Sequence, residues 1–435
     1  PGLYHYSPYH HALECRAVLP LDVATAIGSS LDDMSFGALA LTSVTWREEW
    51  KYGARAYRYC QLDCGHALGA AAYAAATLGW RTRLAARCDD PLLGRLLGVD
   101  RAGDFGDAED EHPEMLVMLG QQPVDEPDWQ SLADALTDWQ GRANRLSRER
   151  VRWPQVEQAL AATRRDDTGV LRPGLVSPSA PSSPLPVAGS LPDIDVERLI
   201  RRRRSAQRMD GQTSMTREDF ERTLRRTLPA NGAPVSCAWP YRPAVHLVLM
   251  IHRVDGLDPG LYCLLRDPEA LDELRVATSA AGFAWTPADL SDLSLFRLRG
   301  AEDVSRLASR LSCHQGIAGH GAFAVSMLAK LGDAIDTEGA WVWRRLHWEA
   351  GLLGQVLYLE AEASDLQGTG IGCFFDDEVH ELLGLATGPR PRWQVLYHFT
   401  IGRAVVDQRL RSEPSYGHLV QGESAAHATA ESGDG

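Results

Sequence analysis

Apolar and small residues recur in this chain in two blocks of the same rhythm. Each block opens on a short aromatic strand after a Pro-Gly turn, Pro1-Gly2-Leu3-Tyr4-His5-Tyr6 and Pro259-Gly260-Leu261-Tyr262. Alternation then predicts a strand over 36–45 in the first block and over 321–328 in the second. A long helix follows in each, over 62–79 and again from Trp348, with Gly351, Gly354, Ala361 and Ala363 placed where another element can pack close. The landmarks Cys88-Asp89-Asp90 and Leu96-Leu97-Gly98 answer to Phe375-Asp376-Asp377 and Leu382-Leu383-Gly384. Matched landmarks in one order predict a tandem duplication, and the period is far too long for a solenoid.

The blocks differ at their margins. Ahead of Pro259 the second has a helix beginning near Asp193, a helix from Thr216 and a strand over 245–254. The first has no counterpart, since the sequence opens at Pro1, so its opening part is expected to be missing. The division expected is a first domain over 1–120, a helical insertion over 121–168 with Trp139 and Trp153 as packing anchors, and a linker over 169–192. That linker is rich in Pro, Ser and Gly. A second domain over 193–412 and a polar tail over 413–435, disordered toward its end, complete the division.

Composition narrows the function. The 435 residues carry a formal net charge of −14, which argues against a general nucleic-acid binder. No apolar run is long enough to span a bilayer and no signal peptide is visible, so a cytoplasmic protein is expected. The eight cysteines are scattered, as expected of reduced thiols. Cys60, Cys64, His66 and Cys88 match no common structural-zinc spacing, and no metal is expected.

Several stretches could carry chemistry. Arg201-Arg202-Arg203-Arg204-Ser205 is a dense basic cluster, readable as a solvated helix face or as a phosphate seat in which guanidinium forks and a hydroxyl converge. Gly368-Thr369-Gly370-Ile371-Gly372 reads as a break after the second long helix, where backbone can approach a flat or anionic ligand or simply connect helix to strand. Lys51-Tyr52 precedes the first long helix, as a proton-transfer pair or as a surface charge beside a packing residue. Cys313-His314-Gln315 stands before a core strand and could face a ligand or pack.

Taken together, Arg203-Arg204-Ser205 with Asp210, the strand at 245–254, the Gly368–Phe375 stretch and the closing Tyr397-His398-Phe399-Thr400-Ile401-Gly402 with Asp407-Gln408-Arg409-Leu410 resemble the flavin-dependent nitroreductase superfamily. Within it, the segment from Trp50-Lys51-Tyr52 to Leu62-Asp63-Cys64-Gly65-His66 is similar to SagB/ThcOx-type dehydrogenases, which include azoline oxidases. The resemblance implies an α+β fold of two fused nitroreductase-like domains forming an intramolecular pseudo-dimer, with FMN in the groove between them. It implies that Arg203, Arg204 and Ser205 hold the phosphate and ribityl chain and that Arg409 closes on the phosphate. Gly370, Ile371 and Gly372 would follow the isoalloxazine edge, and Lys51 and Tyr52 would remove the substrate proton. Gln207 stands where a second basic residue is expected, and Val235-Ser236-Cys237-Ala238-Trp239 departs from the expected small-residue stretch. The implied function is FMN-dependent dehydrogenation of a peptide-derived or small heterocyclic, azoline-like substrate, with further self-association open. The alternatives are an NAD(P)H-driven nitro or quinone reductase, or a flavin-poor scaffold subunit of a biosynthetic complex.

Overall fold

The computed structural model describes residues 1–30, 36–121, 126–149, 151–166, 194–230, 232–290, 292–301 and 303–419. The linker at 169–192 and the end of the tail lie outside the described residues. Below, the first half means the described residues up to 166 and the second half those from 194.

Among the described residues, twelve strands form three sheets. In the first half β1 (Gly2–Ser7) and β2 (Ala12–Val18) make a hairpin, while β3 (Phe36–Ser43), β4 (Arg81–Leu84) and β5 (His112–Gly120) form an antiparallel sheet of order β3-β5-β4. The second half holds β6 (Val245–Ile251), β7 (Gly260–Leu264), β8 (Thr286–Pro287), β9 (Leu295–Gly300), β10 (Phe323–Ala329), β11 (Gln367–Ile371) and β12 (Gln394–Gly402). They form one antiparallel sheet of order β11-β12-β10-β6-β7-β9-β8. Its central strand β6, Val-His-Leu-Val-Leu-Met-Ile, is buried along its whole length, as a near-continuous apolar run covered on both faces requires.

The arrangement β3-β5-β4 recurs as β10-β12-β11, and the helices between the strands recur with it. Helices Trp46–Tyr52 and Ala56–Thr77 answer to Leu331–Glu338 and Val342–Ala363, and both long helices have 22 residues. Asp90–Leu97 answers to Asp376–Leu383, and each ends on a left-handed glycine, Gly98 at φ 69° and Gly384 at φ 68°. Glycine takes that conformation without the Cβ penalty and lets the last carbonyls be capped. From the first residue of the long helix to this glycine the spacing is equal in the two halves, Ala56 to Gly98 and Val342 to Gly384. On its other edge β10 pairs with β6, whereas among the described residues no strand pairs with that edge of β3.

The two long helices pack against each other and join the halves. A Cβ on Gly65 would collide with the carbonyl of Trp348 and stand 2.8 Å from the backbone nitrogen of Leu352. One on Gly351 would collide with the carbonyl of Leu62. Two interior glycines cost roughly 1 kcal/mol each in helix propensity; here they admit backbone-to-backbone contact. Around the crossing, Leu62 joins the core beneath the large sheet, with Phe220, Leu249, Phe323, Leu353 and Phe399.

Some expectations are corrected. Gly368–Gly372 is not a break up to Ile371: β11 runs through Gly368–Ile371, because its backbone pairs with β12 from Gln367↔Gly402 to Ile371↔His398, and the strand ends before Gly372. The insertion over 121–168 is not continuously helical; among its described residues only Trp129–Ala135 and Pro154–Ala162 are, since helix-starting Pro154 and the positive φ of Asp138 and Gly141 interrupt the pattern. Trp139 and Trp153 do anchor it, Trp139 against Gly98 and Trp153 against Gly53. Two cysteines are not free thiols: Cys313 and Cys373 are joined as a disulfide with Cα atoms 5.9 Å apart. Among the described residues no helix is long and apolar enough to cross a membrane.

Candidate functional site

The predicted residues of the second half meet around one tyrosine. Helix Val196–Arg202 ends as the chain turns extended at Arg203 (φ −52°, ψ 129°), which carries Arg203-Arg204-Ser205 away from the helix and across to β11. There Ala206 N donates to the Gly368 carbonyl, and the Thr369 hydroxyl donates to the Ala206 carbonyl. The Tyr358 hydroxyl, projecting from the second long helix, lies 2.8 Å from the Ser205 hydroxyl and accepts from Gly370 N at 2.9 Å. The Arg203 guanidinium sits 4.7 Å from the centre of the Tyr358 ring. One phenol thus joins the arginine segment to the glycine strand.

The arginines differ in their engagements. Arg202 is tied to Glu362 at 3.3 Å. Among the described residues Arg203 has no ion pair, and Arg204 donates to the backbone carbonyls of Arg201 and Arg203. Cations left without a carboxylate suit an arriving phosphate. Gln207 is exposed. Arg409 is 86% exposed and turned onto Asp407 at 2.7 Å. Its segment nevertheless runs beside the arginine segment, through a bridge between Met209 and Ala404 and a bond from Val405 N to the Arg208 carbonyl.

On β11, Gly368 and Gly370 face the helices, as does Gly372 just beyond it, while Ile371 turns its side chain into the opposite core with Phe374 and Val379. A Cβ on Gly370 would collide with the Tyr397 hydroxyl and one on Gly372 with the Tyr59 ring. These glycines therefore permit an aromatic floor of Tyr358, Tyr397 and Tyr59. Gly370 N–H is already spent on Tyr358, so it is not free for the edge of a ligand.

The first half closes this groove. His66, on the first long helix, places Nε2 3.1 Å from the Tyr397 hydroxyl and Nδ1 3.4 Å from Gln355 Oε1. Since Gln355 Oε1 can only accept, Nδ1 carries the proton and Nε2 accepts from Tyr397. Desolvation lowers the His66 pKa to about 4 and pushes that of Tyr397 well above the ordinary tyrosine range, so both are neutral near pH 7. Tyr59 meets Tyr52 edge to face at 4.6 Å. Lys51 Nζ lies 4.9 Å from the Tyr52 ring.

Lys51 and Tyr52 are thus linked to Gly372 through Tyr59. Lys51 is exposed, and its hydrogen bond to Tyr52 raises its pKa, which makes it a stable ammonium and not a free base. Cys313-His314-Gln315 does not face the groove: Cys313 is bonded to Cys373, His314 packs on Phe375 and Gln315 donates to the Cys373 carbonyl. Sequence reasoning missed Tyr358, Tyr397, Tyr59 and His66. Tyr397 and His66 lay inside stretches already singled out, but nothing in their local pattern paired them.

A cavity of about 480 Å³ lies elsewhere, among Glu49, Asp90, Glu114, Val156 and Arg344, and none of the predicted site residues lines it. It belongs to a buried ion network. Arg344 donates to Asp90 at 2.5 Å and to Glu114 at 2.9 Å, Gln61 donates to Glu114 at 2.8 Å and Trp348 to Gln61 at 2.7 Å.

Residues 200–403 match the model of the nitroreductase family. No curated protein matches the chain. Among solved structures, a candidate nitroreductase from Anabaena variabilis superposes with a TM-score of 0.64 at 22% identity, over 93% of this chain and 77% of that one. That likeness, spanning both halves, shows a nitroreductase-like fold. A candidate nitroreductase of Exiguobacterium sibiricum in complex with FMN matches with a TM-score of 0.30 at 10% identity, over 52% of this chain and 96% of that one. The NADPH:FMN oxidoreductase of Vibrio harveyi complexed with NAD+ matches with a TM-score of 0.27 at 14% identity, over 54% and 85%.

Proposed function

We propose that this chain is an FMN-dependent oxidoreductase whose two nitroreductase-like domains, over 1–120 and 193–412, pack as an intramolecular pseudo-dimer with one flavin seat. The observation that carries the reading is the Tyr358 hydroxyl, which joins Ser205 to Gly370 and so makes the arginine segment and the glycine strand one groove. The family match over 200–403 supports the cofactor. FMN, when bound, supplies a two-electron acceptor.

The chain's own residues would do the rest. Arg203 and Arg204, whose guanidinium groups form no ion pair among the described residues, would hold the phosphate, with Ser205 on the ribityl chain. Arg409 would join them on leaving Asp407. Gly370 and Gly372 admit Tyr397 and Tyr59 against the backbone, and a flat ring would lie over this aromatic floor, which excludes water beneath it. The reaction class is dehydrogenation of a peptide-derived or small heterocyclic substrate entering past Lys51 and Tyr52. A second reading, an NAD(P)H-driven nitro or quinone reductase, draws on the family match itself.

The test is flavin content. Purified wild-type protein should be yellow and release FMN on denaturation. The double variant Arg203→Glu/Arg204→Glu should stay folded and colourless, because carboxylates facing a phosphate repel it. A folded double variant with full FMN would refute the seat. Anaerobic bleaching by NADPH, with no turnover of a thiazoline, would favour the reductase reading.

A further inference from the structure

Beside the groove, next to Glu48, stands a carboxylate that nothing so far uses, Asp63. Asp63 follows Tyr59 by one helical turn and precedes His66 by three residues, so the three share one side of the first long helix. Tyr59 lies on Gly372, and His66 lies on Gly354 and Tyr397. That side therefore faces the second half across the groove. Asp63 is exposed, and among the described residues it has no hydrogen bond and no ion pair.

We propose that Asp63 is the group that accepts the substrate proton at this site, above a neutral Tyr397–His66 pair. The proposal rests on the flavin reading given above. Elimination supports it. Tyr397 is buried with its O–H committed to His66, and desolvation keeps His66 neutral down to about pH 4. Lys51 carries a proton already. Around Asp63 stand Glu48 from the helix Trp46–Tyr52, Tyr59, Cys60 and His66 on its own helix, and Tyr397 on β12. Surrounding protein mass, with a smaller push from Glu48, lifts its pKa to about 6, although the carboxylate still opens to solvent. A base of that strength is ionised at neutral pH yet holds a proton well enough to take one in a transition state.

The bookkeeping of the step is simple. One substrate C–H gives its proton to an Asp63 oxygen, forming the carboxylic acid, and its electron pair becomes the new ring double bond. The neighbouring carbon would lose its hydrogen with the bonding pair as hydride, for which FMN, when bound, would supply the acceptor. Substrate loses two hydrogens and two electrons, and the acid returns its proton to solvent.

The test is a carbon-13 titration of the aspartate carboxylates in the FMN-loaded protein, assigned with Asp63→Asn. It is run with the flavin oxidised and again after dithionite. Asp63 should titrate near pH 6 and move upward by about half a pH unit or more on reduction, because reduced flavin places negative charge nearby. A carboxylate on a remote surface would not respond. Asp63→Asn should keep FMN and lose about 100-fold or more in turnover of a 2-phenylthiazoline-4-carboxamide probe, with Asp63→Glu recovering part of it. Titration near the ordinary aspartate value in both flavin states, or unchanged probe turnover in FMN-loaded Asp63→Asn, overturns the proposal alone. Wild-type protein without FMN overturns it together with the flavin reading.

Discussion

Gly65 and Gly351 meet where the two long helices cross: a Cβ on Gly351 would stand 3.0 Å from Gly65 Cα. They hold the same place in the two 22-residue helices, so each half presents the same notch to the other. The groove depends on this closeness, since His66 and Tyr59 reach the second half only while the helices touch.

Gly351→Leu should therefore destabilise the fold by at least about 1–3 kcal/mol, the usual cost of overpacking, because the obstruction is backbone and cannot swing aside. Gly103→Ala, where added volume meets nothing within 4 Å, is the control. Chemical denaturation of both variants decides it; equal stability would mean the crossing yields more readily than its contacts imply.

The ion pairs across the crossing recur in the same fashion, but at different depths. Arg344–Asp90 and Arg58–Asp376 join corresponding positions in opposite senses. Arg344 is buried and also serves Glu114, whereas Arg58 and Asp376 are partly open to water. Arg344→Met should cost about 3–5 kcal/mol, because it strands two carboxylates. Arg58→Met should cost about 1 kcal/mol or less. Similar losses in urea unfolding would contradict the difference in burial.

The pseudo-symmetric groove of the first half is filled. Ala72 stands where the second half has Tyr358, and Leu84 where it has Gly370; both pack with Met115, Val235, Trp239 and Leu352. Purified protein should therefore carry one FMN per chain, read from the flavin absorbance against protein concentration. Two per chain would require that core to open.

Sequence exposed the repeat because its punctuation is local: Asp89 caps a helix that Gly98 ends, and the same frame returns at Gly384. It also exposed Arg203 to Ser205 and the glycines of β11, whose composition is unusual in short range. It did not expose the floor of the groove. Tyr59, Tyr358 and Tyr397 look like core aromatics at their own positions, and only the chain reversal between helices brings them onto Gly368–Gly372. Strand pairing through the glycine run was hidden for a related reason, since glycines usually weaken strands and here make room for tyrosines.

Buried histidines should make the protein acid-sensitive. His398, held between Ser312 at 3.0 Å and Ser326 at 2.9 Å, is lowered by desolvation to about 3, and His347 likewise. His66, His246 and His252 are lowered to about 4. With folded values below the unfolded value of about 6.5, the stability they allow is fully present above that pH. It is lost as pH falls toward 4, at up to about 1.4 kcal/mol per pH unit for each histidine. Urea unfolding should therefore give a lower free energy at pH 5 than at pH 7, and His398→Gln should flatten the slope. A free energy at pH 5 equal to or above that at pH 7 would refute this.

Asp63 predicts the opposite sign. Its folded pKa, about 6, lies above the ordinary 3.8, so the folded state disfavours the ionised carboxylate. The resulting penalty is present above the folded pKa and is relieved as pH falls through it toward the unfolded value. Asp63→Asn removes the charge while keeping the shape, so it should raise the thermal midpoint at pH 8 and leave it unchanged near pH 3.5. A surface aspartate retained for stability would show no gain or a loss at pH 8. A site residue held in an unfavourable state for its chemistry shows the gain, together with the loss of turnover. Thermal melts of wild type and Asp63→Asn at the two pH values, in FMN-loaded protein, separate these cases; a lower midpoint for Asp63→Asn at pH 8 would place Asp63 among the stabilising residues and end its candidacy as the base.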